Sequence, residues 1–503
     1  LLADQWGWNY WACAAAGLAA AVVLGVAVEG LIIRRFFDAP RVLLTVATIG
    51  LAQLLGFGAL ILPRAWGASP SVRSLPEPFG MSIEIGGTVF DGSDLVALFV
   101  VPLLLIGLVL VLNRTALGVA IRASADRSSR ALTLGIPVKR LQSLIWTLAT
   151  VGAFVALFLT AGTGGLGVGY GTSLGLLLRA IAALVLGRMT HVGVIVFSSV
   201  VLGVLELAVR FQTGDGALVA PLLAAIIIGA LLLRRMGVTR ADRDDTSSWR
   251  LASDVRPVPA ELARRWEVTA ARLGLVSLGV TALAVCPFVL STGAMLKLGA
   301  VLIIASVGVS LVILSGWAGQ LSLGQMAFAG MGGAVFAWAN QTHAVDPALA
   351  ICMGAGAGAV AAVVVGLPAL RIRGVYLAVT TLALAVACSN GVFDNGYFDW
   401  IPTGSFAGHR QALLGRIPMD TPAELYLLAL GLLVVSLLAA TALRRSRSGR
   451  VLIAIRENED ATRAYGVAVT QAKLAAFAVS GAIAGAAGAV FTLHQGAFKQ
   501  ALF

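Results

Sequence analysis

Residues 95–126 read LVALFVVPLLLIGLVLVLNRTALGVAIRASAD: 18 uncharged residues, then a short segment studded with charge. As a helix, the first part is about 27 Å long, close to the ~30 Å of hydrocarbon in a bilayer. Similar runs recur at Leu218–Leu233 and Leu425–Leu443. Only 12% of the 503 residues are charged and mean hydropathy is +0.93, whereas a soluble domain carries about twice that charge. The apolar runs are continuous rather than alternating, which excludes a β-barrel and points to a polytopic helical membrane protein.

Spans are expected near 12–32, 41–63, 95–112, 141–163, 171–188, 192–212 and 218–234. A second set follows near 273–291, 298–315, 326–340, 348–369, 374–391, 424–443 and 474–493. Threading them alternately through a bilayer puts 28 of the 36 Lys and Arg on one side and 7 on the other, with Arg179 inside a span. That bias marks the rich side as cytoplasmic, so the net charge of +12 reflects topology and requires no nucleic acid. The polar stretch 235–272 begins and ends on the cytoplasmic side and reads as a linker between domains 1–234 and 273–503, with a short helix after Pro259.

The opening segment has a counterpart. GVAIRASAD (118–126) matches LIAIRENED (452–460), pairing Arg122 with Arg456 and Asp126 with Asp460, and GIPV (135–138) then echoes GVAV (466–469) after a three-residue deletion. LTVATIGLAQLL (44–55) matches LAVTTLALAVAC (377–388), pairing Thr48 with Thr381. Corresponding spans cross in the same direction, so the fold class is an all-α polytopic membrane protein of two tandem, parallel-oriented transmembrane repeats. About fourteen spans are visible. The glycine-rich stretch 316–333 lacks a first-half partner and spans 171–234 lack a second-half one, so the first half is expected to be incomplete at its N-terminus and the second at its C-terminus, the chain being clipped at both ends.

Chemistry is sparse. No G-x-x-x-x-G-K-[ST] loop occurs, His191, His343, His409 and His494 are scattered, and Cys13, Cys286, Cys352 and Cys388 show no paired spacing. No catalytic set converges, so the chain is not read as an enzyme, and no cofactor or metal is expected. Glu29 and Glu206 lie inside spans; Glu29 is close to Arg34 and Arg35, and Glu206 can pair with Arg210 one turn on. A proton- or sodium-driven carrier needs more ionisable machinery, which leaves transport powered from outside the chain. A plain connector has no reason to repeat Arg, then an acid, then a helix-ending glycine, so Arg122, Asp126 and Gly135 and, in the second copy, Arg456, Glu459, Asp460 and Gly466 read as docking loops for a two-fold symmetric partner.

The stretch GWAGQLSLGQMAFAGMGG (316–333) places six glycines, two glutamines and a serine between aliphatic runs. Irregular backbone at membrane depth is tolerated where it is buried in protein or faces a water-filled path, so a broken or tightly packed helix beside a translocation pathway is expected. Gln320, Ser322 and Gln325 are the leading pathway candidates, with Thr48 and Thr381 as symmetric second choices.

Together with LRIRGVYLAVTTLALAVACSN (370–390) and the segment 449–498, this stretch resembles one of the two permease subunits of ATP-binding-cassette importers for branched-chain amino acids. VATIGL (46–51), the loop after Gly118 and AALVLGRMTHVGVIVFSSVVLG (182–203) resemble the sister subunit, departing from its pattern at Arg188, where a second glycine is favoured. The resemblance implies two permease subunits fused in one bacterial plasma-membrane chain. It further implies separate ATPase subunits at the cytoplasmic face, an extracytoplasmic solute-binding protein that supplies affinity, and branched-chain or similar small amino acids as substrate. The alternative is a secondary transporter or channel for a small polar solute such as urea or an amide.

Overall fold

In lipid a backbone amide has no water to bond, so each apolar run satisfies itself as a helix. This governs the computed structural model, which describes residues 6–36, 41–65, 67, 75–79, 83–85, 88–126, 128–164, 170–187, 192–214, 216–233, 261, 265–370, 375–393, 400–402, 405 and 411–500. All fourteen expected spans coincide with helices. The first half holds α1 (Tyr10–Leu31), α2 (Arg41–Ala65), α3 (Gly92–Arg114), α4 (Ala116–Asp126), α5 (Ser128–Thr133), α6 (Val138–Gly164), α7 (Tyr170–Leu186), α8 (Val192–Thr213) and α9 (Val219–Leu233). The second holds α10 (Trp266–Val289), α11 (Thr292–Leu311), α12 (Gln325–Ala337), α13 (Pro347–Ala369), α14 (Val375–Ala387), α15 (Pro422–Arg445), α16 (Arg447–Glu457), α17 (Glu459–Ala464) and α18 (Val469–Gln495).

Among the described residues, eight helices are long and apolar enough to cross a membrane. The expected span 326–340 is α12, only 13 residues and about 20 Å long, extended by a π-helical turn at Trp338–Thr342. Most of the linker lies outside the described residues, including the helix expected after Pro259 apart from Glu261; α10 already begins at Trp266. A small antiparallel hairpin precedes α3, with β1 (Ile83–Ile85) paired to β2 (Thr88–Phe90).

The repeat is visible element by element. Helices α1 and α13 hold 22 and 23 residues, α3 and α15 hold 23 and 24, α4 and α16 hold 11 each, α5 and α17 hold 6 each, and α6 and α18 hold 27 each. The caps repeat too. Thr115 Oγ1 accepts from Gly118 N and Ser446 Oγ from Gly449 N, both at 3.1 Å, and Gly135 and Gly466 both turn the chain with positive φ, +81° and +79°. Each of these pairs is 331 residues apart.

This register corrects the sequence alignment of the loops. At 331, Arg456 corresponds to Ala125 rather than Arg122, Asp460 to Ser129 rather than Asp126, and there is no deletion. A slip of three residues is nearly one helical turn, so it keeps a motif on the same helix face; only the caps fix the register.

The described chain forms two compact units, residues 1–177 with 189–197, and residues 178–188 with 198–503. In the first, α1 packs on α6, with Tyr10, Val96 and Leu159 buried together. In the second, α18 is the central helix, flanked by α11, α12 and α13. Of its most apolar stretch 67% is buried within the chain, against 6% for α3 and for α6. Glycine permits this burial. A Cβ at Gly485 would lie 2.4 Å from Gly354 O, and one at Gly332 would lie 2.2 Å from Gly485 O, so three backbones meet where any side chain would separate them. The first repeat solves the same crossing differently: Phe154 stands at the position of Gly485 and lays its ring on Gly17.

Within the second unit α9 packs against α14 and the π-helical turn Cys388–Val392 that follows it, where a Cβ on Gly391 would meet Pro221 Cγ at 2.1 Å. Tyr426 on α15 donates to Leu283 O on α10 at 2.7 Å.

Candidate functional site

Helix α11 runs into a π-helical turn at Val312–Trp317, and the chain then leaves helical geometry until Gln325 opens α12. The glycine-rich stretch is thus a helix break, and its glycines serve it locally. Gly319 takes a left-handed φ of +67°, a conformation in which a Cβ is disfavoured. Gly324 lies so close to α14 that a Cβ would sit 2.3 Å from Thr381 O. The Thr381 hydroxyl accepts from Leu323 N at 2.9 Å and donates to Ala378 O at 3.0 Å, which fastens the exit of the break to α14.

Gln325 is buried, with 3% of its surface exposed, and its amide knits three helices. Its Nε2 donates to Ser310 Oγ on α11 at 2.8 Å and to Ser480 Oγ on α18 at 2.7 Å. Both hydroxyls spend their own protons on backbone carbonyls, Ser310 on Val307 O at 2.6 Å and Ser480 on Ser310 O at 2.9 Å. Each therefore meets the amide as an acceptor, which fixes Nε2 toward them and leaves Gln325 Oε1 an acceptor without a donor. Ser322 Oγ, also buried, is likewise without a partner among the described residues. Buried orphans of this kind call for a water or a polar ligand.

The structure thus gathers Ser322, Gln325 and Thr381 around the break. Gln320 is half-buried and turns its amide to Ala318 O at 3.2 Å, while its carbonyl accepts from Ser315 Oγ at 3.0 Å. Thr48 lies half-buried on α2 of the first unit.

The two loops share a plan of capped helix, short helix and left-handed glycine, but differ in side chains. In the second, Glu459 holds Arg463 at 2.7 Å and the nearly buried Lys473 at 2.8 Å, tying α17 to α18, while Asp460 is exposed. Arg456 donates to Gly316 O at 2.7 Å, joining α16 to the edge of the helix break. In the first, Arg122 turns back onto Leu112 O and onto Asn113 Oδ1. The side chain of Asp126 lies outside the described residues.

Sequence reasoning missed Ser310 and Ser480, the partners that orient Gln325. Their signal was faint, a serine at 306 and another at 310 on one face of an apolar helix. It anticipated Glu206 with Arg210, at 2.9 Å, but not Arg179 on α7, whose guanidinium grips the same carboxylate through two bonds of 2.6 and 2.7 Å. With its charge held between two arginines, Glu206 is a structural partner.

Comparison with known proteins adds a family. The family described as branched-chain amino acid transport system / permease component matches in two segments, residues 1–234 and 291–502. The high-affinity branched-chain amino acid transport system permease proteins LivM of Salmonella typhimurium and of Escherichia coli are each 31% identical over 247 residues, 45% of this chain and 58% of theirs. A probable branched-chain amino acid transport permease protein LivH of Methanocaldococcus jannaschii is 32% identical over 166 residues, 30% of this chain and 50% of that protein. The chain thus spans little more than half the length of the curated relatives it matches. No solved structure matches it. This match over both halves, with eight helices long and apolar enough to cross a membrane among the described residues, makes the chain a multi-pass inner-membrane transport component, and it belongs to the family of branched-chain amino acid transport system permease components.

Proposed function

We propose that the chain forms the membrane pathway of an ATP-binding-cassette importer for branched-chain or similar small amino acids. Separate ATPase subunits drive it from the cytoplasmic face and an extracytoplasmic solute-binding protein delivers the substrate. The segments 1–234 and 273–503 act as two permease halves joined by the linker 235–272. The observation that carries this reading is the helix break at 318–324, where Ser322, and Gln325 directly after the break, present buried polar atoms without partners inside the apolar second unit. A small polar solute passing through needs such groups, and a lipid-facing helix has no use for them.

On this reading Gln320, Ser322, Gln325 and Thr381 line the pathway, with Thr48 as the first-half counterpart of Thr381. The two loops dock one ATPase each, through Arg122, Asp126 and Gly135 and through Arg456, Glu459, Asp460 and Gly466. The pairing of Glu206 with Arg179 and Arg210 supports an external drive over an ion-coupled carrier, because it occupies an intramembrane carboxylate that an ion relay needs free. Docking is tested by charge reversal at Asp126 or Asp460 and by valine at Gly135 or Gly466, in the protein assembled with its ATPase subunits. Uptake per ATP hydrolysed falls if the loops dock; a wild-type ratio in all four variants refutes it.

A further inference from the structure

We infer that Arg456 is the positioning residue through which the α16–α17 loop holds and moves the helix break, an inference that rests on that loop being an ATPase-docking element. Its side chain is 20% exposed and braced on three sides. Glu457 Oε1 accepts from Nε at 3.2 Å and from Nη2 at 2.5 Å, fixing one edge of the guanidinium. The other edge donates to Gly316 O at 2.7 Å. Gly316 lies in the π-helical turn that ends α11, where carbonyls run out of intrahelical donors, so the arginine satisfies a group the break itself orphans.

The aliphatic stem matters as much. A Cβ on Gly319 would come within 2.9 Å of Arg456 Cγ, so the left-handed glycine that turns the chain is also the one the stem lies against. Arg444, at the end of α15 where the loop begins, stacks over the Trp317 ring at 5.9 Å. The entry of the break is therefore clamped by the loop and its exit by Thr381 and Gln325, leaving 318–324 as the span between two fixed points. A displacement of α16 is passed to Gly316 through a charge-assisted bond rather than through loose packing.

In the register of 331, Ala125 stands where Arg456 would be in the first repeat, and Arg122 bonds its own helix end at Leu112 O and Asn113 Oδ1.

The test uses the full protein with its ATPase subunits and solute-binding protein in proteoliposomes, reading uptake and ATP hydrolysis together. Arg456→Met keeps the stem and removes the donors; losing a hydrogen bond from a charged group lowers uptake per ATP roughly tenfold or more. Arg456→Lys, which still donates, recovers part of it. Gly319→Ala lowers the ratio as well, and the double variant Arg456→Met with Gly319→Ala is non-additive because the two act on one contact. A wild-type ratio in Arg456→Met overturns the inference, as do strict additivity or a lysine no better than methionine. Gly466→Val separates the two levels: if it uncouples while Arg456→Met does not, only the role of Arg456 fails; if neither uncouples, the docking reading fails with it.

Discussion

On the proposed function, Gln325 is the residue at which holding the bundle together and lining the pathway can be told apart. Replacing it with leucine, of similar bulk, removes two interhelical bonds, to Ser310 and Ser480 at 2.8 and 2.7 Å. Within membranes such bonds average about 0.6 kcal/mol each, so about 1.2 kcal/mol is lost. The same change abolishes a buried carbonyl without a donor, whose desolvation costs about 1–3 kcal/mol. The two serines keep their own donors engaged on backbone carbonyls. Set against each other, the terms leave Gln325→Leu between about 0.2 kcal/mol less and about 1.8 kcal/mol more stable than the parent, so its unfolding midpoint does not fall appreciably. Gln325→Glu puts a charge in a site only 3% exposed and costs several kcal/mol. Thermal unfolding of the purified protein in detergent reads both. Uptake by the leucine variant is expected to fall at least tenfold despite its stability, because the pathway loses an acceptor. If leucine unfolds the bundle as severely as glutamate, the hydrogen-bond assignment is wrong; if leucine transports normally, Gln325 is not on the pathway.

Other consequences follow from packing and charge. Gly488→Leu places a Cβ 1.8 Å from Ala329 O and forces α12 and α18 apart, so folded yield on size-exclusion chromatography collapses, whereas Gly356→Leu, with nothing within 4 Å, leaves it unchanged. Glu206→Gln strips the counter-charge from Arg179 inside the bilayer, at about 2.5–3.5 kcal/mol for an arginine at mid-helix; insertion drops, and Arg179→Leu in the same chain restores it. Cutting the linker between residues 242 and 248 and co-expressing the pieces yields a complex that co-purifies if, as the charge bias of the sequence implies, both ends of the linker lie on one side; correctly inserted halves that never associate contradict the two-subunit reading.

How much of this was legible depended on which force wrote it. Lipid compels helix wherever apolar residues run on, so spans such as 95–112 could be read directly and reappear as Gly92–Arg114. The break at 318–324 was legible because glycines and amides crowd a stretch that lipid would otherwise fill with leucine. Ser310 and Ser480 were not: a serine in an apolar helix bonds its own backbone as readily as a neighbour, and only the fold brings residues 170 positions apart together. The loop register failed for a geometric reason, since Arg122 and Arg456 share a helix face at a slip of three while Gly118 and Gly449 carry the true correspondence. Nor does chain order reveal that α9, from the first half, covers α14 and the turn after it, with Pro221 over Gly391.

The central claim is that this permease moves a small amino acid on energy supplied by separate ATPases. The most direct measurement is uptake of labelled leucine into proteoliposomes holding the protein with its ATPase subunits, with the solute-binding protein on the opposite face to the ATPases and with proton and sodium gradients collapsed by ionophores. The account predicts uptake that continues while ATP is supplied, stops when it is withdrawn, and requires the binding protein. Uptake that follows an ion gradient and persists without ATP would contradict it.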